Sequence, residues 1–192
     1  DTHRDFIARL CLKSGARGFA VDYRLAPEHP FPAAVDDALE AYRHILAEGH
    51  APQRVVIAGE SAGGGLTLAL LLRLRERGEP MPAAAAVISP WTDLEMTGST
   101  IDTNAKYDFL SRKTLEAYAR RYVNDNQRQD PLASPLRAEL SGFPPLLIHA
   151  GGAEALAADA TRLIERAEAA GVELEATVYP EMIHAFHLFG DI

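Results

Sequence analysis

The sequence predicts an α/β fold: a mostly parallel sheet flanked by helices on both faces. Three observations carry that expectation. Apolar runs of strand length alternate with helix-period patterns along the chain. The runs at residues 55–58, 83–89 and 145–150 are largely apolar throughout rather than alternating, which suits strands buried on both faces. The stretches between them read as helices, so the connections are right-handed crossovers between parallel strands. At 192 residues the chain is one domain, long enough for a full hydrophobic core.

Taken in order, residues 4–14 are helical, with Phe6, Ile7, Leu10 and Cys11 in an amphipathic pattern and Gly15 as C-cap. Residues 18–23 form a short, mostly apolar strand. Residues 27–32 are a loop punctuated by Pro27, Pro30 and Pro32. Residues 33–47 return to the helical period, with Val35, Leu39, Tyr42 and Leu46 on one face and Gly49 beyond the end. A strand at 55–58 leads into a helix at 63–77, and a strand at 83–89 follows. Residues 91–111 are polar and irregular. A helix at 112–123 presents Leu115, Tyr118, Ala119 and Tyr122, and 124–142 is a loop rich in Asp, Pro and Ser. A strand at 145–150, a helix at 156–170 stopped by Gly171, and a strand at 174–179 complete the series. The interruption between Ser89 and Pro144 is too long for a minimal βαβ repeat, and such stretches carry function. Residues 91–143 are therefore expected to contain a partial cap or lid over the sheet.

Composition narrows the function classes. Apolar residues make up 47% and charged residues 24%, ordinary for a globular protein. With 27 acidic against 19 basic residues the net charge is −8, so no nucleic-acid surface is expected. No apolar run reaches membrane-spanning length, and no membrane span is expected. The single cysteine, Cys11, cannot close an internal disulfide, and no Cys/His spacing suggests a zinc site. Neither a metal nor another cofactor is expected. The lone cysteine favours a reducing compartment, hence a cytoplasmic location. The sequence allows a homo-oligomer without defining one.

Gly59-Glu60-Ser61-Ala62-Gly63 reads G-x-S-x-G between a strand and a helix. That context makes the pentapeptide a nucleophile elbow, in which the serine projects from a sharp turn. The two glycines are expected where a Cβ would clash. A serine hydroxyl needs a base to take its proton, and the base needs a third group to fix its tautomer. In α/β-hydrolases the chain order is Ser, then Asp/Glu, then His. Here Glu154 follows one predicted strand and His184 follows the last. In an open parallel sheet, residues beyond the C-terminal strand ends converge on one rim. Ser61, Glu154 and His184 are the candidate triad, with Asp159 the rival acid and His187 the rival base; His149 lies within a strand and reads as structural. The Ala62 backbone N–H, at the positive end of the following helix, is a candidate oxyanion donor. The second donor normally comes from an earlier HGGG-type loop, and no such run occurs. Gly63-Gly64-Gly65 lies in the elbow's own helix, where small residues allow close packing.

The chain resembles the hormone-sensitive-lipase-like (bacterial family IV) esterases of the α/β-hydrolase fold. Tyr23-Arg24-Leu25-Ala26-Pro27-Glu28-His29-Pro30-Phe31-Pro32 resembles a signature loop of that branch, and Gly59-Glu60-Ser61-Ala62-Gly63-Gly64 its elbow, with Glu60 where Asp is common. Ser89-Pro90-Trp91-Thr92-Asp93-Leu94, Asp130-Pro131-Leu132-Ala133-Ser134-Pro135 and Met182-Ile183-His184-Ala185-Phe186 resemble further blocks. The resemblance implies Ser61 as nucleophile, His184 as base and Glu154 at the position usually held by Asp. It also implies a fragment without the first sheet strands, the HGG loop, half the cap and the last helix, weakly active or inactive by itself.

The expected function is hydrolysis of small-molecule carboxylic esters, with short to medium acyl groups, through a Ser61 acyl-enzyme. The alternative is a non-catalytic small-molecule binding or receptor module on the same fold, which fold alone does not exclude.

Overall fold

The computed structural model describes residues 2–190. At its centre is a parallel four-stranded sheet in the order β1 (Val56–Glu60), β2 (Ala84–Ile88), β3 (Leu146–Gly151) and β4 (Leu174–Tyr179). Glu60 stands beside Ile88, Ile88 beside His149, and Gly151 beside Tyr179. This register brings the C-terminal ends of the strands to one rim. The helices are α1 (Thr2–Ser14), α2 (Ala33–Ala47), α3 (Ala62–Arg77), the single-turn α4 (Thr100–Thr103), α5 (Arg112–Tyr122) and α6 (Ala157–Ala169).

The two faces of the sheet are covered unequally. Ala85, Val87, Leu146 and Ile148 are at most 2% exposed and share a core with Leu68, Leu71 and Leu72 of α3 and Leu163 and Ala167 of α6. Their alternates Ala84, Ala86, Leu147 and His149 are half-buried. On that side His187 stacks on His149, and α1 arrives through Phe6, 6.3 Å from the His187 ring, and Arg9, which donates to the His187 carbonyl at 3.0 Å. Helix α3 sits close because its first turn is glycine. A Cβ on Gly65 would stand 2.4 Å from the Trp91 carbonyl oxygen, and one on Gly64 would stand 2.9 Å from Pro90 Cβ.

One expected strand does not form. Residues 18–23 carry no regular structure and pair with none of the four strands. A strand exists through its ladder, and composition alone does not supply a partner. Phe19 and Val21 are accordingly 55% and 39% exposed. The other expected helices and strands fall within a residue or two of their bounds, α2 and β4 match them, and the single-turn α4 forms within residues 91–111, which were expected to be irregular.

Between β2 and β3 the chain builds a second core from Trp91, Leu94, Ile101, Leu115, Ala119 and Val123, joined by Ala155 and Leu156 from the loop after β3. The excursion is thus packed against the segment that carries Glu154. No helix among the described residues is long and apolar enough to cross a membrane.

Candidate active site

The elbow is formed by the junction of β1 and α3. Ser61 has φ 55° and ψ −117°, a conformation that costs a non-glycine residue energy and is held by its surroundings. Its N–H donates to the Ile88 carbonyl at 2.9 Å, and its carbonyl accepts from the Trp91 N–H at 3.0 Å. Gly59 is required, since a Cβ there would stand 2.0 Å from the Gly63 carbonyl oxygen. Gly63 differs from expectation: a Cβ there would meet nothing within 4 Å. The crowding of this turn is confined to its strand side.

His184 follows β4 in a turn where the Met182 N–H donates to the Tyr179 carbonyl at 3.2 Å. This turn nests on the loop after β3. The Gly152 N–H donates to the Tyr179 carbonyl at 2.7 Å, and the Ala153 N–H to the Met182 carbonyl at 3.1 Å. Gly151 and Gly152 permit the approach, because a Cβ on either would stand 2.1 Å from the Met182 or 2.6 Å from the Pro180 carbonyl oxygen.

Nesting of the loops brings the three candidate side chains together. His184 Nε2 lies 2.8 Å from Ser61 Oγ. The Phe109 ring meets the imidazole edge-on with centroids 5.7 Å apart. Burial pushes the imidazole down to about 4, against the opposing charge of Asp108. It is therefore neutral near pH 7 and able to accept a proton.

Glu154 is fully buried. Its Oε2 accepts from Ser89 Oγ at 2.6 Å and from the Gly151 N–H at 3.1 Å. The same oxygen lies 3.8 Å from His184 Nδ1, too far for a hydrogen bond. Glu154 Oε1 and His184 Nδ1 are both buried without a hydrogen-bond partner among the described residues. Burial raises the Glu154 carboxyl to about 8, opposed by the bonds from Ser89 and Gly151. Asn104 Nδ2 fixes the loop by donating to the Gly152 and Glu154 carbonyls at 3.1 and 3.0 Å. Asp108 Oδ2 accepts from the Ala155 N–H at 2.6 Å.

The rivals are otherwise engaged. Asp159 Oδ2 accepts from the Thr92 and Asp93 N–H groups at 2.9 and 3.0 Å, and Oδ1 from Arg162 at 2.9 Å. It joins α6 to the excursion. His187 Nε2 pairs with His149 Nδ1 at 3.2 Å.

Several contributors went unassigned in the sequence. Glu60 Oε1 lies 3.4 Å from His184 Nε2, and its Oε2 lies 3.0 Å from His3 Nε2. The position within G-x-S-x-G was a sufficient signal for Glu60. Ser89 stands in a block that resembles the family but gives it no role, and Asn104 and Asp108 carry no signal, because all three roles depend on which loops meet.

A cavity of about 420 Å³ opens beside Ala62, between Leu66, Trp91, Leu94, Tyr118 and Leu132. A separate polar cavity of about 480 Å³ lies between Asp93, Arg137, Arg162 and Arg166, and none of Ser61, Ala62, Glu154 and His184 lines it.

An open parallel sheet with a serine elbow on one strand end and a histidine beyond another defines the α/β-hydrolase class. The chain belongs to the family described as having the alpha/beta hydrolase fold, whose model matches residues 1–188. It is 44% identical over 189 residues to an acetyl-hydrolase of Streptomyces hygroscopicus, covering 98% of this chain and 63% of that one. It is 38% identical over 191 residues to an esterase of Acinetobacter venetianus, with coverage of 98% and 63%. Among solved structures it is similar to an esterase from the bacterial hormone-sensitive lipase family, at 46% identity and TM-score 0.94, covering 97% of this chain and 64% of that one. The resemblance to hormone-sensitive-lipase-like esterases is borne out. The chain spans about 63% of the length of these curated relatives.

Proposed function

We propose that this chain carries the nucleophile, base and acid of a serine carboxylic-ester hydrolase. The observation behind the reading is the 2.8 Å contact between His184 Nε2 and Ser61 Oγ. Ser61 Oγ attacks the ester carbonyl while His184 Nε2 takes the hydroxyl proton. The tetrahedral oxyanion forms near the Ala62 N–H, in the first turn of α3, where the helix dipole favours negative charge. As it collapses, the carbon–oxygen bond of the leaving alcohol breaks and His184 returns the proton to that alcohol. A water, deprotonated by the same nitrogen, then bonds to the acyl carbon; the bond from that carbon to Ser61 Oγ breaks, and His184 returns the proton to Oγ as the acid leaves.

Glu154 is the group assigned to hold the His184 tautomer. His184 Nδ1 and Glu154 Oε1 both lack a partner, and once the carboxyl is ionised a bond between donor and acceptor satisfies both. The acyl group is assigned to the cavity beside Ala62, whose walls are largely apolar. Residues 91–143 act as a partial cap, supplying Trp91 and Leu94 to that cavity and Phe109 to the imidazole.

Fluorophosphonate labelling followed by p-nitrophenyl acetate turnover tests the reading. Labelling at Ser61 and a burst of nitrophenol, both lost in Ser61→Ala, are expected. Undiminished turnover by that variant overturns the mechanism, and label on a residue other than Ser61 overturns the assignment of the nucleophile.

A further inference from the structure

We propose that Ser89 is a positioning residue of the site, tying the acid-bearing loop to the base-bearing loop through its side-chain hydroxyl. This inference rests on the esterase reading for its catalytic meaning, and on geometry for its existence.

Ser89 is the residue immediately after β2, between the strand ends that carry Ser61 and Glu154. It is fully buried, with φ at 46°. A serine in that conformation is uncommon, and a buried hydroxyl needs partners. Ser89 has one on each side. Its Oγ donates to Glu154 Oε2 at 2.6 Å and accepts from the Ala185 N–H, next to His184, at 3.1 Å. Its own N–H donates to the His149 carbonyl at 2.7 Å, which fixes the hydroxyl relative to β3.

One hydroxyl thus sets two distances at once. It orders the carboxylate by occupying Oε2, and it holds the backbone that presents the imidazole. The bond to Glu154 favours the ionised carboxylate, because the hydroxyl donates and the charged oxygen accepts. The other groups acting on Glu154 are the Gly151 N–H, which also favours charge, and Asp108 and Glu60, which oppose it. His184 faces it across 3.8 Å.

The test uses the whole chain with glutamate labelled at the side-chain carboxyl carbon, and reads the Glu154 titration by NMR. Two variants remove the hydroxyl. Ser89→Ala keeps a Cβ at positive φ, whereas Ser89→Gly relieves that strain. In both, the half-titration of Glu154 is expected to move up by about one pH unit, the size of a lost charge-assisted bond. The acid limb of ester turnover is expected to move the same way, with kcat falling roughly tenfold or more while KM changes little. An unmoved Glu154 titration in Ser89→Gly overturns the proposal, and a loss of thermal stability alone reduces Ser89 to a structural part. If a fluorophosphonate labels a residue other than Ser61, the esterase reading fails separately, and the Glu154 titration still decides the role of Ser89.

Discussion

Ser61 and His184 stand 123 positions apart in sequence, yet their Oγ and Nε2 atoms approach to 2.8 Å. The contact follows from parallel topology. Every strand of such a sheet ends on the same rim, so the residue after β1 and a residue after β4 face a shared space. The remaining distance is closed by the glycine pair Gly151-Gly152, which lets the turn after β4 fold down onto the loop after β3.

Under the proposed mechanism, removing either partner of that contact should abolish ester turnover without unfolding the chain. Ser61→Ala and His184→Gln are each expected to lower kcat by on the order of 10⁴-fold or more, and the double variant by little beyond either single one. Residues that act as one unit are not additive. Single-turnover kinetics on the three variants measures this, and additive losses would mean that the two side chains work independently.

The glycines of the elbow are expected to differ in tolerance. Gly59→Ala drives a Cβ to 2.0 Å from a backbone oxygen, so the turn must shift. A loss of at least about 2 kcal/mol is expected from overpacking. Gly63→Ala meets open space and lies in α3, where alanine is the better helix former. Thermal denaturation of the two variants should separate them clearly. Equal midpoints would mean that the turn is not crowded on its strand side.

The legible part of the protein was what depends on local pattern. Periodicity marked α2 and β4 at their observed bounds, and the G-x-S-x-G turn marked Ser61 because strand, turn and helix are contiguous. Residues 18–23 misled for the converse reason: their apolar composition suits a strand, but a ladder partner is a non-local requirement. The same limit hid Ser89 and Asn104. Each acts on Glu154 across 65 and 50 positions, and nothing beside them in the chain indicates it. Asp159 and Glu154 also looked alike in sequence. What separates them is that Asp159 is consumed by the Thr92 and Asp93 amides and by Arg162.

Asn104 gives a test of the excursion. Its side-chain amide donates to the carbonyls of Gly152 and Glu154, so it anchors residues 91–143 to the acid loop. Asn104→Ala leaves two carbonyls to find water or go unpaired, at a cost of about 1–2 kcal/mol. Turnover should fall as well, since Glu154 loses its backbone support, whereas Lys113→Ala, at an exposed position of α5 in the same excursion, should leave both quantities near wild type. Chemical denaturation together with kcat/KM decides it. An Asn104→Ala chain with full activity would show that the excursion does not order the acid.

Burial of Glu154 should appear in the pH dependence of stability. Its carboxyl is raised from 4.5 to about 8 in the folded chain, with burial the largest cause. The folded state therefore holds this proton more tightly than the unfolded state does. The stabilisation is fully present below the unfolded value and is lost as pH rises through about 8. Across that window the unfolding free energy should decline by up to roughly 1.4 kcal/mol per pH unit from this group. The buried imidazole of His184, lowered to about 4, acts in the opposite sense: its contribution fades as pH falls below its unfolded value of 6.5. Comparison with Glu154→Gln isolates the carboxyl, because the amide does not titrate while His184 is present in both chains. The wild type should lose stability relative to Glu154→Gln between pH about 5 and about 8, measured by urea denaturation at each pH. Parallel curves would show that Glu154 is ionised throughout that range, and would make the Ser89 and Gly151 bonds strong enough to outweigh burial.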